Sequence, residues 1–176
     1  MATSDNGPGD PKSQLVMAEL LQGSLEAAEE LGENISPILA EQGIDRSVLE
    51  SPEGFLRVEQ VHGFLESVAE QFNCPHFGFL VGKHQLPFRF GPGRQLLRLS
   101  PNLHQAVVNI HDYIEIYSDT SRHELVIDGG FASVIRFDRY PDTASCVQLQ
   151  TLGVVQLLKA MKDFSGSGWQ VSSVHF

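Results

Sequence analysis

Apolar side chains recur every three or four positions along most of this chain and give way to strict alternation in one stretch of its second half. From Gln14 onward Leu15, Ala18, Leu21, Leu25 and Ala28 follow helical spacing, while Glu26, Glu29, Glu30 and Glu33 fall mostly outside that stripe. The pattern predicts an amphipathic helix ending near Gly32. Ser36-Pro37 supplies a cap followed by proline at the first helical position, so a short helix is expected to run to Gly43, a residue suited to a left-handed cap. Asp45 is placed to cap a further turn through Leu49, which Ser51-Pro52-Glu53-Gly54 breaks. Val58, Val61, Leu65, Val68, Ala69 and Phe72 mark a longer helix over Arg57 to Phe72, and Pro75 to Lys83 reads as one or two further helical turns. Leu86 to Arg98 resists assignment, because Pro87, Gly91, Pro92 and Gly93 interrupt its apolar residues. Behind Ser100-Pro101, a second cap-then-proline pair, the stripe Leu103, Val107, Ile110, Ile114 and Tyr117 predicts another helix.

The period then changes. His123, Leu125 and Ile127 alternate with Glu124, Val126 and Asp128. Beyond Gly129-Gly130, Phe131, Ser133, Ile135 and Phe137 alternate with Ala132, Val134 and Arg136, and two such runs around a glycine turn predict an antiparallel hairpin. Asp142 and Thr143 open a long apolar helix through Met161, ended by Ser165-Gly166-Ser167-Gly168, and Trp169 to Phe176 reads as a final strand. The fold class is α+β: a helical N-terminal half, then a β-hairpin, a long helix and a final strand forming a small antiparallel sheet. Residues 1–13 read as a flexible tail and 14–176 as one domain.

Composition narrows the function. The chain has 176 residues, 41% of them hydrophobic, enough to bury one core. Twelve Lys and Arg stand against 22 Asp and Glu, a net charge of −10. That balance argues against direct nucleic-acid binding, which needs a clustered basic face, and against an anionic membrane surface. No apolar run reaches the length of a membrane span, and Met1 to Asp10 lack the features of a secretory signal. Two cysteines, Cys74 and Cys146, suit a reducing compartment, so the expected location is the cytoplasm.

Candidate chemistry is sparse. His104, His111 and Glu115 share one helix face and could ligate a metal, but no His-Glu-x-x-His motif or cysteine pair accompanies them. A helix between core and solvent often carries such borderline histidines, and no metal or other cofactor is expected. Neither cysteine has a C-x-x-C partner or a local basic residue, there is no G-x-S-x-G elbow, and Gly91-Pro92-Gly93-Arg94 lacks the lysine and spacing of a phosphate loop. No enzyme signature is present. The aromatic pairs Phe77/Phe79 and Phe88/Phe90, set among glycines and prolines, suit either the wall of a small-molecule pocket or ordinary packing. The expected pocket lies between the Ser100–Tyr117 helix and the Arg122–Phe137 hairpin, under the Phe77–Phe90 segment. Its candidate ligand-binding residues are His104, His111, Tyr117, Phe88, Phe90 and Phe137, with His111 the preferred polar anchor. The same residues would serve equally well as core.

Four stretches, in order, carry a resemblance to a known family. Ile38-Leu39-Ala40-Glu41-Gln42-Gly43-Ile44-Asp45 is similar to an "LxxAGLD" opening. Val58 to Phe72 followed by Asn73-Cys74-Pro75-His76-Phe77-Gly78-Phe79-Leu80-Val81-Gly82 is similar to a helix and a "CPHFGLLLG" segment. Leu99 to Ala106 stands where the family has "xSPTLGEAL", and Gly168 to Phe176 is similar to "GPxWRPxxVxF". From about Gln14 onward the chain resembles the N-terminal effector-binding, arabinose-binding-type domain of AraC-type transcriptional regulators. The resemblance implies a small-molecule effector, a contribution to homodimerisation, and DNA binding by a separate helix-turn-helix domain. That domain is absent from this sequence, which implies either the sensor half of a longer protein or a stand-alone sensor. A second resemblance is to haem-based gas-sensor domains, in which His111 would be the axial ligand. Arg136-Phe137-Asp138-Arg139 stands where their Tyr-x-Ser-x-Arg motif would fall and does not match it, so the likeness is one of architecture. A Soret band in the purified protein would distinguish the two.

Overall fold

The computed structural model describes residues 15–50, 54–85, 98–117, 121–138, 146–166 and 168–175. The expected tail, the 86–97 segment with Phe88 and Phe90, and the expected helix opening at Asp142 and Thr143 lie outside them. The stretch expected to form one helix from Gln14 to Gly32 is three elements instead: strand β1 (Leu15–Met17), a 3₁₀ turn (Ala18–Leu21) and helix α1 (Ser24–Leu31). A three-residue apolar spacing suits a 3₁₀ turn as well as an α-helix. Gly23 makes the break: its φ is 91°, and a β-carbon there would stand 2.6 Å from the Val81 carbonyl oxygen. β1 then pairs antiparallel with β2 (Phe55–Arg57), Val16 opposite Leu56.

Helices α2 (Ser36–Glu41), α3 (Ser47–Glu50), α4 (Val58–Gln71) and α5 (Phe77–His84) follow the sequence pattern closely. Asp45 caps α3 as expected, its Oδ1 accepting the Ser47 hydroxyl at 2.6 Å and the Ser47 N–H at 2.8 Å, and these two bonds hold its carboxyl below the usual range. Gln60 ties two helices together: Oε1 accepts the Arg57 N–H at 3.1 Å, while Nε2 donates to the Gln42 and Gly43 carbonyls closing α2. The α1–α5 helices enclose one hydrophobic core in which Phe64 and Phe77 meet edge to face, ring centroids 6.2 Å apart. Leu149 and Leu152, from the long helix at 147–165, complete it.

Helix α6 (Leu103–Tyr117) starts two residues later than the Ser100-Pro101 pair suggests, because Asn102 is the cap: its Oδ1 accepts the Gln105 N–H at 2.9 Å. Ser100 instead accepts the Asn109 side-chain amide at 2.8 Å. The hairpin follows as β3 (Ser121–Asp128) and β4 (Phe131–Asp138). Gly129 and Gly130 both have positive φ, 55° and 85°, as a two-residue type I′ turn requires, and the turn sets Asp128 opposite Phe131 and His123 opposite Arg136.

Helix α7 (Val147–Ser165) lies across α5. Gly78 and Gly82, one turn apart on α5, face it and let the backbones approach. A β-carbon at Gly78 would run into the Gln148 carbonyl, and one at Gly82 would stand 2.7 Å from Val155 Cγ1. Gln148 fastens this crossing, accepting the Gly78 N–H at 2.8 Å and donating to the Pro75 carbonyl at 2.9 Å. Glu66 of α4 accepts the Gln148 N–H at 3.0 Å, placing a carboxylate at the positive end of α7. Farther along, Lys159 Nζ donates to the carbonyls of Gly82 (3.0 Å), Lys83 (2.9 Å) and Gln85, closing the C-terminal end of α5. Burial among these groups lowers the Lys159 pKa. Apolar residues occur on more than one side of α7, and a partner chain is one way to cover them. Leu149, Leu152, Ala160 and Met161 are buried, Val154, Val155 and Leu158 half-buried, and Val147 is 49% exposed.

The molecule is α+β, with two small antiparallel sheets, β1–β2 and β3–β4. The final strand expected over Trp169 to Phe176 is not formed in its described part, 169–175. Alternation makes a strand only where a ladder partner is at hand. This segment finds none among the described residues, and Val171 and Val174 stay exposed.

Candidate functional site

A β-hairpin presents two faces, and here they differ. One row of side chains, His123 and Leu125 on β3 with Val134 and Arg136 on β4, is buried or half-buried, and β3 packs against α6. His123 is 5% exposed. Directly across the ladder from it stands Arg136, whose guanidinium occupies the space over Gly153 of α7 that a β-carbon would fill. Opposed cross-strand side chains have β-carbons about 5 Å apart, so an imidazole and a permanently charged guanidinium sit side by side on the inner face. Ala106 and Val107 supply buried apolar surface from α6. A polar chain runs along the start of that helix, from Gln105 Nε2 to Asn109 Oδ1 at 3.0 Å and from Asn109 Nδ2 to Ser100 Oγ.

The residues singled out from sequence are distributed unevenly over this arrangement. His104 lies on α6 but is exposed. His111 and Tyr117 lie on α6, with side chains outside the described residues. Phe88 and Phe90 are outside them too. Phe137 stands on the opposite face of the hairpin from His123, 39% exposed, with the Arg122 guanidinium 4.8 Å above its ring. Ile135 shares that outer face. Phe77, one end of the expected roof, belongs to the core with Phe64, whereas Phe79 is exposed. The inner wall of the hairpin is therefore His123, Leu125, Val134 and Arg136.

His123 and Arg136 were legible in principle. Counting outward from the Gly129-Gly130 turn pairs them, but both rows of the hairpin contain apolar residues, and nothing local says which row turns inward.

Chemically, the inner face offers apolar surface with one ring that donates or accepts hydrogen bonds and one fixed cation. That combination binds and orients a molecule. Among the described residues no three His, Cys, Asp or Glu side chains gather as a metal site would need. Cys74 and Cys146 are both buried, Cys74 Sγ lying 3.9 Å from each ring nitrogen of His76. No described helix is long and apolar enough to cross a membrane.

A comparison with curated proteins found no match. Residues 32–176 match the family described as the arabinose-binding domain of AraC transcription regulator, N-terminal. The match spans α2 through α7 and hence every element that borders the inner face of the hairpin. Its members are regulatory, effector-binding domains rather than an enzyme family, and this chain belongs to that family.

Proposed function

We propose that this chain is the small-molecule sensor of a cytoplasmic transcription regulator. It binds an effector, self-associates as a homodimer, catalyses nothing, and leaves DNA contact to another domain. The family match over residues 32–176 carries this reading. The excess of acids over bases supports the absence of DNA contact, because a face that neutralises several phosphates needs clustered Lys and Arg.

The effector site we assign is the space between α6 and the inner face of the hairpin. Val107 marks the buried side of α6, and His111 stands one helical turn beyond it, so His111 remains the preferred anchor from that helix. His123 and Arg136 face it from the hairpin.

Native mass spectrometry of protein purified from its source, followed by thermal unfolding with arabinose and panels of sugars, amino acids and fatty acids, tests the reading. A ligand at a hundredfold excess over its Kd stabilises by about 2.7 kcal/mol, roughly 5–10 °C at this chain length. Failure of every panel to raise Tm, with no ligand carried through purification, would count against effector binding. Salt-sensitive retention of duplex DNA by this chain alone would refute the assignment of DNA contact elsewhere.

A further inference from the structure

The outer face of the hairpin is not covered by the other described residues. On β3 it carries Arg122, Glu124, Val126 and Asp128 in order from root to tip, all exposed. On β4 the same face carries Phe137 at the root, Ile135 beside Glu124, Ser133 beside Val126, and Phe131 at the tip, where it is 71% exposed. An apolar row on a two-stranded sheet of this kind calls for a cover, since such a sheet is marginal without one on each apolar face.

The order of the charges says what the cover is. One row has a cation at its root and an anion at its tip, and the other has an aromatic ring at each end. A two-fold axis running across the strands at mid-hairpin reverses both rows. It sets Arg122 against Asp128 of the partner subunit and Phe137 against Phe131 of the partner subunit, each contact made twice. An anionic membrane would instead meet Glu124 and Asp128 on a chain of net charge −10.

We propose that the outer face of the β3–β4 hairpin is the surface on which a second copy of the chain docks, sheet against sheet. The inference rests on the homodimer reading above and locates its interface. Eight residues at about 3.3 Å each make a face about 26 Å long. It falls short of the about 800 Å² per partner of a standard interface, the size range of weak and transient contacts.

Sedimentation velocity from roughly 5 to 500 µM tests it. The wild-type chain should pass from monomer to dimer. Arg122→Asp and Asp128→Arg should each raise Kd about tenfold or more by facing like charges across the axis, and the double variant should recover most of the loss. Circular dichroism checks that each is folded. Phe131→Ser, a change at the exposed tip, keeps the test in force should a charge variant fail to fold, and it should also weaken association. A wild-type chain that stays monomeric throughout overturns the dimer reading and this surface together. A wild-type dimer that the single variants leave intact, or that the charge swap does not restore, overturns the surface and leaves the dimer reading standing.

Discussion

Gly78 and Gln148 are matched twice over: the Gly78 N–H donates to Gln148 Oε1 at 2.8 Å, and the missing β-carbon of Gly78 leaves room for the Gln148 carbonyl. Because that neighbour is backbone, it cannot swing aside. Gly78→Ala should therefore destabilise the chain by about 1–3 kcal/mol, the range for overpacking a tight site, despite the helix preference for alanine. Gln148→Ala should lose a similar amount by a different route, since it leaves the buried Gly78 N–H unpaired and takes the partly buried partner from the Pro75 carbonyl. Urea unfolding of both variants checks this, and wild-type stability in either would contradict it.

Gly153 gives the contrasting case. Its close neighbour is the end of the Arg136 side chain, which is flexible and can retreat. Gly153→Ala should leave global stability within about 1 kcal/mol of wild type, the helix gain offsetting the crowding. It should also alter effector affinity, because Arg136 has to move. A large loss of stability without any change in affinity would place Arg136 in the structure alone.

Lys159→Met should lower stability by about 1–3 kcal/mol, since one ammonium serves three carbonyls at the end of α5 and charged hydrogen bonds are the strong ones. Arginine should restore less than full stability, because its planar fork does not reproduce three divergent donors. Thermal unfolding of the pair distinguishes charge from geometry.

Glu30 predicts a pH dependence. Its carboxylate accepts from Lys83 at 2.8 Å and sits 2.6 Å from His84 Nε2, and these hydrogen bonds, Lys83 first, lower its pKa from 4.5. A depressed carboxylate pKa means that the contribution is present above the unfolded value and lost as pH falls through the folded one. The Tm difference between wild type and Glu30→Gln should thus be seen at neutral pH and disappear as pH falls through that lowered pKa. A difference that persists in acid would show that the link between α1 and α5 does not depend on that charge.

His111→Leu should abolish the ligand-induced rise in Tm while the circular dichroism spectrum stays unchanged. If the variant unfolds, or binds unchanged, the effector site lies elsewhere.

Legibility in the sequence followed the range of the forces involved. The α4 stripe, the Asp45 cap and the two-glycine hairpin turn are local, and they were readable. The break at Gly23 was not, because its cause is the Val81 carbonyl of a distant helix. The inward row of the hairpin escaped for a similar reason, with Leu125 and Val134 on one side and Val126 and Ile135 on the other nearly balanced in hydrophobicity. Gln148 left no signal at all: one of three glutamines in that helix, it looks incidental until Pro75 and Gly78 are seen beside it.

Among the described residues, the hydrophobic core is drawn from α1–α5, the segments around them and two leucines of α7, and no described side chain of α6 or the hairpin belongs to it. On that ground the chain should have two tiers of stability, the weaker one holding the proposed effector site. Backbone amides of β3 and β4 should exchange with deuterium through local opening, well before those of α4. An effector bound between α6 and the hairpin would slow that exchange and leave α4 untouched. The sheet would then report occupancy by how often it opens, with no change in the core beneath it.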